Sequence, residues 1–221
     1  MKIKLAPSMM CSDYGHLQDE LEKIGRGGAD LLHCDIMDGH YVPNLIVGPD
    51  YIKTLRRLSD VRLDVHIMAE EPERFIDMFD MQPGERCCFH FETTHHPLRL
   101  LSELKKNKLE AGIALAPSVP ENVIYDLLDD IDFIHLMLVN PGYAGQPLIP
   151  SMIDKLERIR AYLDNQNIPM DIEVDGCVSY DNAAEFVRKG ATTLVLGAYS
   201  CFDRVYGIEK GIAKVRELVQ N

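Results

Sequence analysis

The chain is predicted to fold as a single (β/α)8 TIM barrel, α/β in class, with eight parallel strands and eight helices. Three observations carry that prediction. Strand-then-helix units recur at a spacing of about 28 residues, the size a barrel of this type needs. No linker or low-complexity stretch interrupts them, so residues 1–221 read as one domain. The first run ends in "APSMMCSD", without the Gly-rich turn that opens a doubly wound sheet, the rival architecture.

The strands are the short, apolar, β-prone runs. In the first half they cover about 3–8, 29–37, 61–68 and 86–92; in the second, 110–117, 132–139, 170–176 and 192–197. Amphipathic segments near 13–26, 50–58, 73–80, 97–107, 120–128, 150–164, 180–189 and 207–220 supply the helices. Start signals precede several of them: Pro72, Pro97, Pro120 with Glu121 after Ser118, and Asp181/Asn182. Gly27, Gly28 and Gly190 mark helix ends.

Composition narrows the function. Apolar residues make up 46% and charged residues 26%, the balance of a soluble globular protein with a sizeable core. A formal charge of −12 argues against nucleic acid and anionic membranes as partners. An anionic ligand would have to be held by main-chain N–H groups or helix N-termini. No run is apolar enough for a signal peptide or a membrane span, and a cytoplasmic location is expected. The six cysteines include no C-x-x-C pair and are expected to be reduced thiols.

In such a barrel, chemistry sits at the C-terminal ends of strands. The second run ends "HCDIMDG", and alternation along a strand puts His33, Asp35 and Met37 on one face. The third run ends Asp64-x-His66-x-Met68 and the seventh Glu173-x-Asp175-Gly176. Imidazoles and carboxylates converging from three strands suit Zn2+, Fe2+, Mn2+ or Co2+, with Mg2+ possible, and the spacing does not choose among them. Taken singly, each residue has an ordinary role. His40, His90, His95, His96 and His135 read as hydrogen-bonded core or rim histidines, and Met37, Met68 and Met137 as core filling. Loops with Gly142 and Gly145, with Gly176, and with Gly197 follow the last three strands and favour an anion held by backbone amides.

The segments "HCDIMDGHYVPN", "DVHIM", "FHFETTHHPLR", "EAGIALAPSVP", "VNPGYAGQ" and "EVDG" resemble the ribulose-phosphate 3-epimerase family, in order and over nearly the whole chain. The resemblance implies a barrel, one divalent metal per subunit and 1,1-proton transfer at C3 of a ketose phosphate through a 2,3-enediolate. It places metal ligands at His33, Asp35, His66 and Asp175, and the two acid/base carboxylates at Asp35 and Asp175. Substrate contacts fall on Ser8, Met37, His66, Met68, Met137, Gly142, Tyr143, Ala144 and Gly145. Phosphate contacts fall on Gly176, Cys177, Gly197, Ala198, Tyr199 and Ser200. Family members of this kind imply a homo-oligomer, dimer or hexamer.

Four positions depart from the five-carbon pattern. They are "PSMMCSD" after the first strand, Ala144 for a glycine, Cys177 for a second glycine, and a strand-8 loop, "GAYSCF", one residue longer. Cys177 implies a backbone there that suits a Cβ. These features resemble the D-allulose-6-phosphate 3-epimerase branch, so the first expectation is epimerisation of D-allulose 6-phosphate to D-fructose 6-phosphate. Epimerisation of D-ribulose 5-phosphate to D-xylulose 5-phosphate is the alternative. A phosphate-binding barrel decarboxylase is a distant third, since such enzymes use a Lys–Asp cluster and no lysine stands at these strand ends.

Overall fold

A computed structural model of the protein describes residues 2–46 and 48–220. Among them nine strands form one sheet: β1 (Lys4–Pro7), β2 (Leu32–Asp38), β3 (Leu45–Ile46), β4 (Leu63–Met68), β5 (Arg86–His90), β6 (Glu110–Leu115), β7 (Phe133–Met137), β8 (Asp171–Asp175) and β9 (Thr193–Leu196). Their spatial order is β1-β9-β8-β7-β6-β5-β4-β2-β3. Every pairing is parallel except β3 on β2, and a parallel bridge between Ser8 and His33 closes the ring. β3 is a two-residue extra that no periodicity could announce.

Seven α-helices are described: α1 (Leu17–Arg26), α2 (Pro49–Leu58), α3 (Glu73–Ile76), α4 (Pro97–Lys106), α5 (Ser151–Asn165), α6 (Ala183–Arg188) and α7 (Ile208–Gln220). Two predicted helices are weaker than expected. The 73–80 segment is one α-turn followed by a 3-10 turn that ends at Asp80 with φ 44°. Residues Glu121–Leu127 form only a 3-10 helix. The β-branched pair Val123-Ile124 in a short segment gives little reason to prefer the wider α-turn.

Alternation along the strands separates two interiors. Cys34, Ile36, Val65, Ile67, Cys87, Phe89, Ile134, Leu136, Ile172 and Val174 belong to the large apolar core under the helices. The residues between them point into the barrel. This resolves the Cys87-Cys88 doublet: Cys87 joins the outer core, and Cys88 packs inside against Ala114 and Phe133.

The barrel's inside is polar for its size. Phe133 fills the lower part, and a Cβ on Gly112 would lie 2.3 Å from its ring, so only glycine fits on that side. The Arg86 guanidinium lies over the same ring at 3.8 Å. Fully buried, it meets Asp171 at 3.1 Å, Glu173 at 3.4 Å and Asp64 at 3.7 Å. This array is the floor on which the site stands.

Candidate active site and metal centre

Strand register builds the site. Parallel pairing sets His33 beside Asp64, Asp35 beside His66, and Met37 beside Met68. On the other side of the ring it sets His135 beside Glu173 and Met137 beside Asp175. Residues paired in this way face the same side of the sheet, so each row delivers its side chains to one level of the barrel.

At the lower level, His33 Nδ1 lies 2.8 Å from Asp64 Oδ2, and His135 Nδ1 lies 2.7 Å from Glu173 Oε1. These carboxylates fix both rings, and Arg86 sits between them from below. His66 Nε2 lies 3.0 Å from His90 Nε2, and His90 Nδ1 in turn faces Glu92 at 3.6 Å. Tyr41 donates to Glu92 at 2.7 Å.

The four predicted metal ligands do converge. His33 Nε2 and His66 Nδ1 stand 3.4 and 3.5 Å from Asp35 Oδ1, and each stands 3.9 Å from Asp175 Oδ2. Two donors bound to one ion at about 2.1 Å lie about 3.0–4.2 Å apart, so these separations fit a common centre. Both ring nitrogens are buried and lack a hydrogen-bond partner. Leaving them so costs about 1–3 kcal/mol each unless something satisfies them. The His/Asp cluster could therefore hold a divalent cation.

The charges tell the same story. Burial opposes a proton on His33, but Asp35 and Asp64 outweigh it and hold its pKa well above the usual histidine value. Burial also lowers His135, and Asp175 and Glu173 reverse this, bringing it to about 9. Burial would raise Asp35, yet His33 and His66 hold it well below the carboxylate range. Burial keeps His66 and His90 neutral, with His135 reinforcing the effect on both. The negative charge of Asp35, Asp64 and Glu173 is thus offset from below by Arg86 and at the rings by protons on His33 and His135, which a divalent cation on those ring nitrogens would replace.

Above this level a cleft opens at the C-terminal ends of the strands. Ser8, Asp35, Met37, Met68, Met137 and Asp175 line it, as do Gly142, Tyr143, Ala144 and Gly145 on one side and Gly176, Cys177, Gly197, Ala198 and Tyr199 on the other. His33 and His66 lie beneath it, fully buried. Of the expected phosphate set, Ser200 alone is not among the residues lining the cleft. It is fully buried, its hydroxyl donates to the Gly197 carbonyl at 3.3 Å, and its own carbonyl accepts from Tyr180.

Cys177 corrects one expectation. Its φ is 55°, in the left-handed region, so the backbone there would accept glycine more readily. Gly176 before it has φ 108°, and a Cβ would fall 2.6 Å from Val139.

Several lining residues had no signal in the sequence, among them Met10, Cys11, Gln146 and Val195. Burial, aided by Asp35 and Asp175, pushes Cys11 up to about 12, so it faces the cleft as a thiol. His135, read as a core or rim histidine, belongs to the cluster, with Nε2 3.6 Å from Asp175 Oδ2. Its two-residue offset from Met137 was the available signal, because it puts both on one strand face.

The loop after β7 is tied across the mouth of the cleft. Tyr143 donates to the Pro43 carbonyl, Asn44 Nδ2 to the Gly142 carbonyl at 2.8 Å, and Tyr199 to the Gly145 carbonyl at 2.7 Å. Among the described residues, no lysine or arginine lines the cleft.

Solved structures share the fold at low identity. A tryptophan synthase structure from Mycobacterium tuberculosis matches with TM-score 0.68 at 12% identity, covering 100% of this chain and 93% of that one. N-(5'-phosphoribosyl)anthranilate isomerase from Pyrococcus furiosus matches with TM-score 0.62 at 13% identity, covering 99% of both. Closer relatives exist in sequence. A ribulose-phosphate 3-epimerase of Bacillus subtilis is 37% identical over 217 residues, 97% of this chain and 98% of that protein. The enzyme of that name from Escherichia coli K12 is 36% identical over 201 residues, 90% of this chain and 89% of that protein. A model of the ribulose-phosphate 3 epimerase family matches residues 4–201. With the strand-end cluster and the barrel that presents it, this makes the protein an isomerase that epimerises a carbohydrate phosphate, and the chain belongs to the ribulose-phosphate 3-epimerase family.

Proposed function

We propose that the protein is a metal-dependent ketose-phosphate 3-epimerase that inverts C3 with two carboxylates, Asp35 and Asp175. One observation carries this reading. The two groups come from β2 and β8, both line the cleft, and both face the same pair of buried histidines. Inversion needs a base on one face of the carbon and an acid on the other, so two carboxylates reaching one point from well-separated strands suit it.

A divalent cation held by His33, Asp35, His66 and Asp175 would supply Lewis-acid stabilisation of the negative charge that develops on the substrate's oxygens. The chain's own residues do the rest. One carboxylate removes the C3 proton, which is acidified by the neighbouring carbonyl, and leaves a 2,3-enediolate. The other returns a proton from the opposite face. Ser8 donates to Asp35 Oδ2 at 2.8 Å and fixes its orientation. Met37, Met68 and Met137 form a polarisable wall that keeps water off the intermediate. With no cationic side chain on the cleft, the phosphate would rest on the main chain around Gly176, Cys177, Gly197, Ala198 and Tyr199.

As substrate we propose D-ribulose 5-phosphate, giving D-xylulose 5-phosphate, which agrees with the names of the relatives. D-allulose 6-phosphate, giving D-fructose 6-phosphate, is the second reading. It is favoured by Ala144, by Cys177 and by the longer loop after β9, whose Tyr199 reaches Gly145. We take the enzyme to be one barrel domain, to act in the cytoplasm and to assemble as a homo-oligomer.

NMR in D2O with each sugar phosphate separately, with and without a chelator, tests both levels. Metal-dependent appearance of the C3 epimer is expected, fastest with D-ribulose 5-phosphate. Faster turnover of D-allulose 6-phosphate would transfer the assignment to the six-carbon substrate. No epimer from either, in folded and metal-loaded protein, would refute the epimerase reading.

A further inference from the structure

We propose that His135 is a third histidine ligand of the same metal centre, making the donor set three imidazoles and two carboxylates. This role rests on the metal-binding reading of the site and adds a residue to it.

On its Nδ1 side, the geometry around His135 repeats that around His33. Each ring is fully buried and presents Nδ1 to a buried carboxylate, Glu173 at 2.7 Å and Asp64 at 2.8 Å. The two rings lie nearly parallel, 7° apart, with centroids 5.5 Å from each other. A carboxylate on one imidazole nitrogen orients the ring so that the other nitrogen can bind a metal in place of a proton, the usual outer arrangement of a metal-bound histidine. For His135 that nitrogen is Nε2, 3.6 Å from Asp175 Oδ2 and 3.3 Å from Met137 Sδ. Ligand atoms of His33, His66, His135 and Asp175 all fall within 4.8 Å of one another. Arg86 meets Glu173 and Asp64 alike, so one buried guanidinium supports both outer carboxylates.

The third imidazole has a chemical use. Asp175 must release and accept a proton while it serves as a ligand, and each change loosens its hold on the centre. His135, whose Nε2 lies 3.6 Å from Asp175 Oδ2, would help to hold the cation beside it through that exchange. Three imidazoles also shift preference toward Zn2+, Co2+ or Fe2+ and away from Mg2+, which favours oxygen donors.

The test is proton NMR of the wild-type protein loaded with one equivalent of Co2+. Each ligating histidine keeps one ring N–H, which appears as a hyperfine-shifted line that vanishes in D2O. Three such lines are expected, from His33 Nδ1–H, His66 Nε2–H and His135 Nδ1–H. His135→Leu should remove one line, and Glu173→Gln should weaken Co2+ binding by about 10- to 100-fold in a chelator competition. Two lines in the wild type would overturn the role of His135 while leaving the four-ligand centre intact. Failure to bind Co2+ at all would overturn both readings.

Discussion

At the level of single residues, Asp35 and Asp175 bear the heaviest demand, because each is both a ligand candidate and an acid/base. Asp35→Asn and Asp175→Asn should each cut kcat by about 10²-fold or more, the usual worth of a positioned proton-transfer group. Circular dichroism should show both variants folded. Ser8→Ala has a smaller expected effect. It removes a bond to a charged carboxylate, worth about 1.5–3 kcal/mol, and should lower kcat by about tenfold with KM little changed. Cys177→Gly should raise stability by about 1 kcal/mol in urea unfolding, because φ 55° penalises a Cβ. The site's chemistry was largely legible at this scale. His33-x-Asp35-x-Met37 and Asp64-x-His66-x-Met68 announce themselves by alternation. The His33–Asp64 and His135–Glu173 pairs did not, because they depend on register between strands that a linear sequence leaves open.

Among the elements, α7 is tied to the first strands through Asp30. That carboxylate accepts from Lys2 at 2.7 Å, from the Leu5 N–H at 3.0 Å, and from Arg216 on α7. Burial raises its pKa, but Lys2, Arg216 and the Leu5 amide more than compensate and leave it below its ordinary 3.8. A depressed folded-state pKa means that the unfolded chain takes up the proton first. The stabilisation is therefore complete above about pH 4 and is lost as pH falls through the folded value. Urea midpoints should fall between pH 5 and 3 more steeply in the wild type than in Asp30→Asn. Equal slopes would show that the Asp30 cluster contributes nothing. Inside the barrel, Gly112→Ala would drive a methyl into the Phe133 ring, and overpacking of this kind costs about 1–3 kcal/mol. Element type was readable from periodicity for the strands and the long helices. The Glu121–Leu127 helix and β3 were not, since one is a tighter helix of the same period and the other is two residues long.

On the scale of the whole molecule, the barrel gathers a charged column along its axis, with Arg86 and its carboxylates at the base and Asp35 and Asp175 at the mouth. A fold with this interior should depend on its cation for stability as well as chemistry. At metal concentrations about 100-fold above Kd, binding adds about 2.7 kcal/mol. Dialysis against a chelator should then lower Tm by about 5–10 °C for a chain of this size. An unchanged Tm would mean that the histidine–carboxylate cluster is satisfied without metal. The eight parallel strands of the ring, β3 apart, followed from the repeat spacing. The polar interior did not, because a buried arginine on a strand looks in sequence like an edge or surface residue until the ring closes around it.

The two-carboxylate mechanism is tested most directly by following deuterium at C3 in D2O during the first few per cent of conversion. With Asp35 and Asp175 on opposite faces, the product should carry solvent deuterium while the recovered substrate still holds its original proton. Deuterium entering substrate and product together from the start, or the original proton carried into the product, would point to a single base and contradict the assignment.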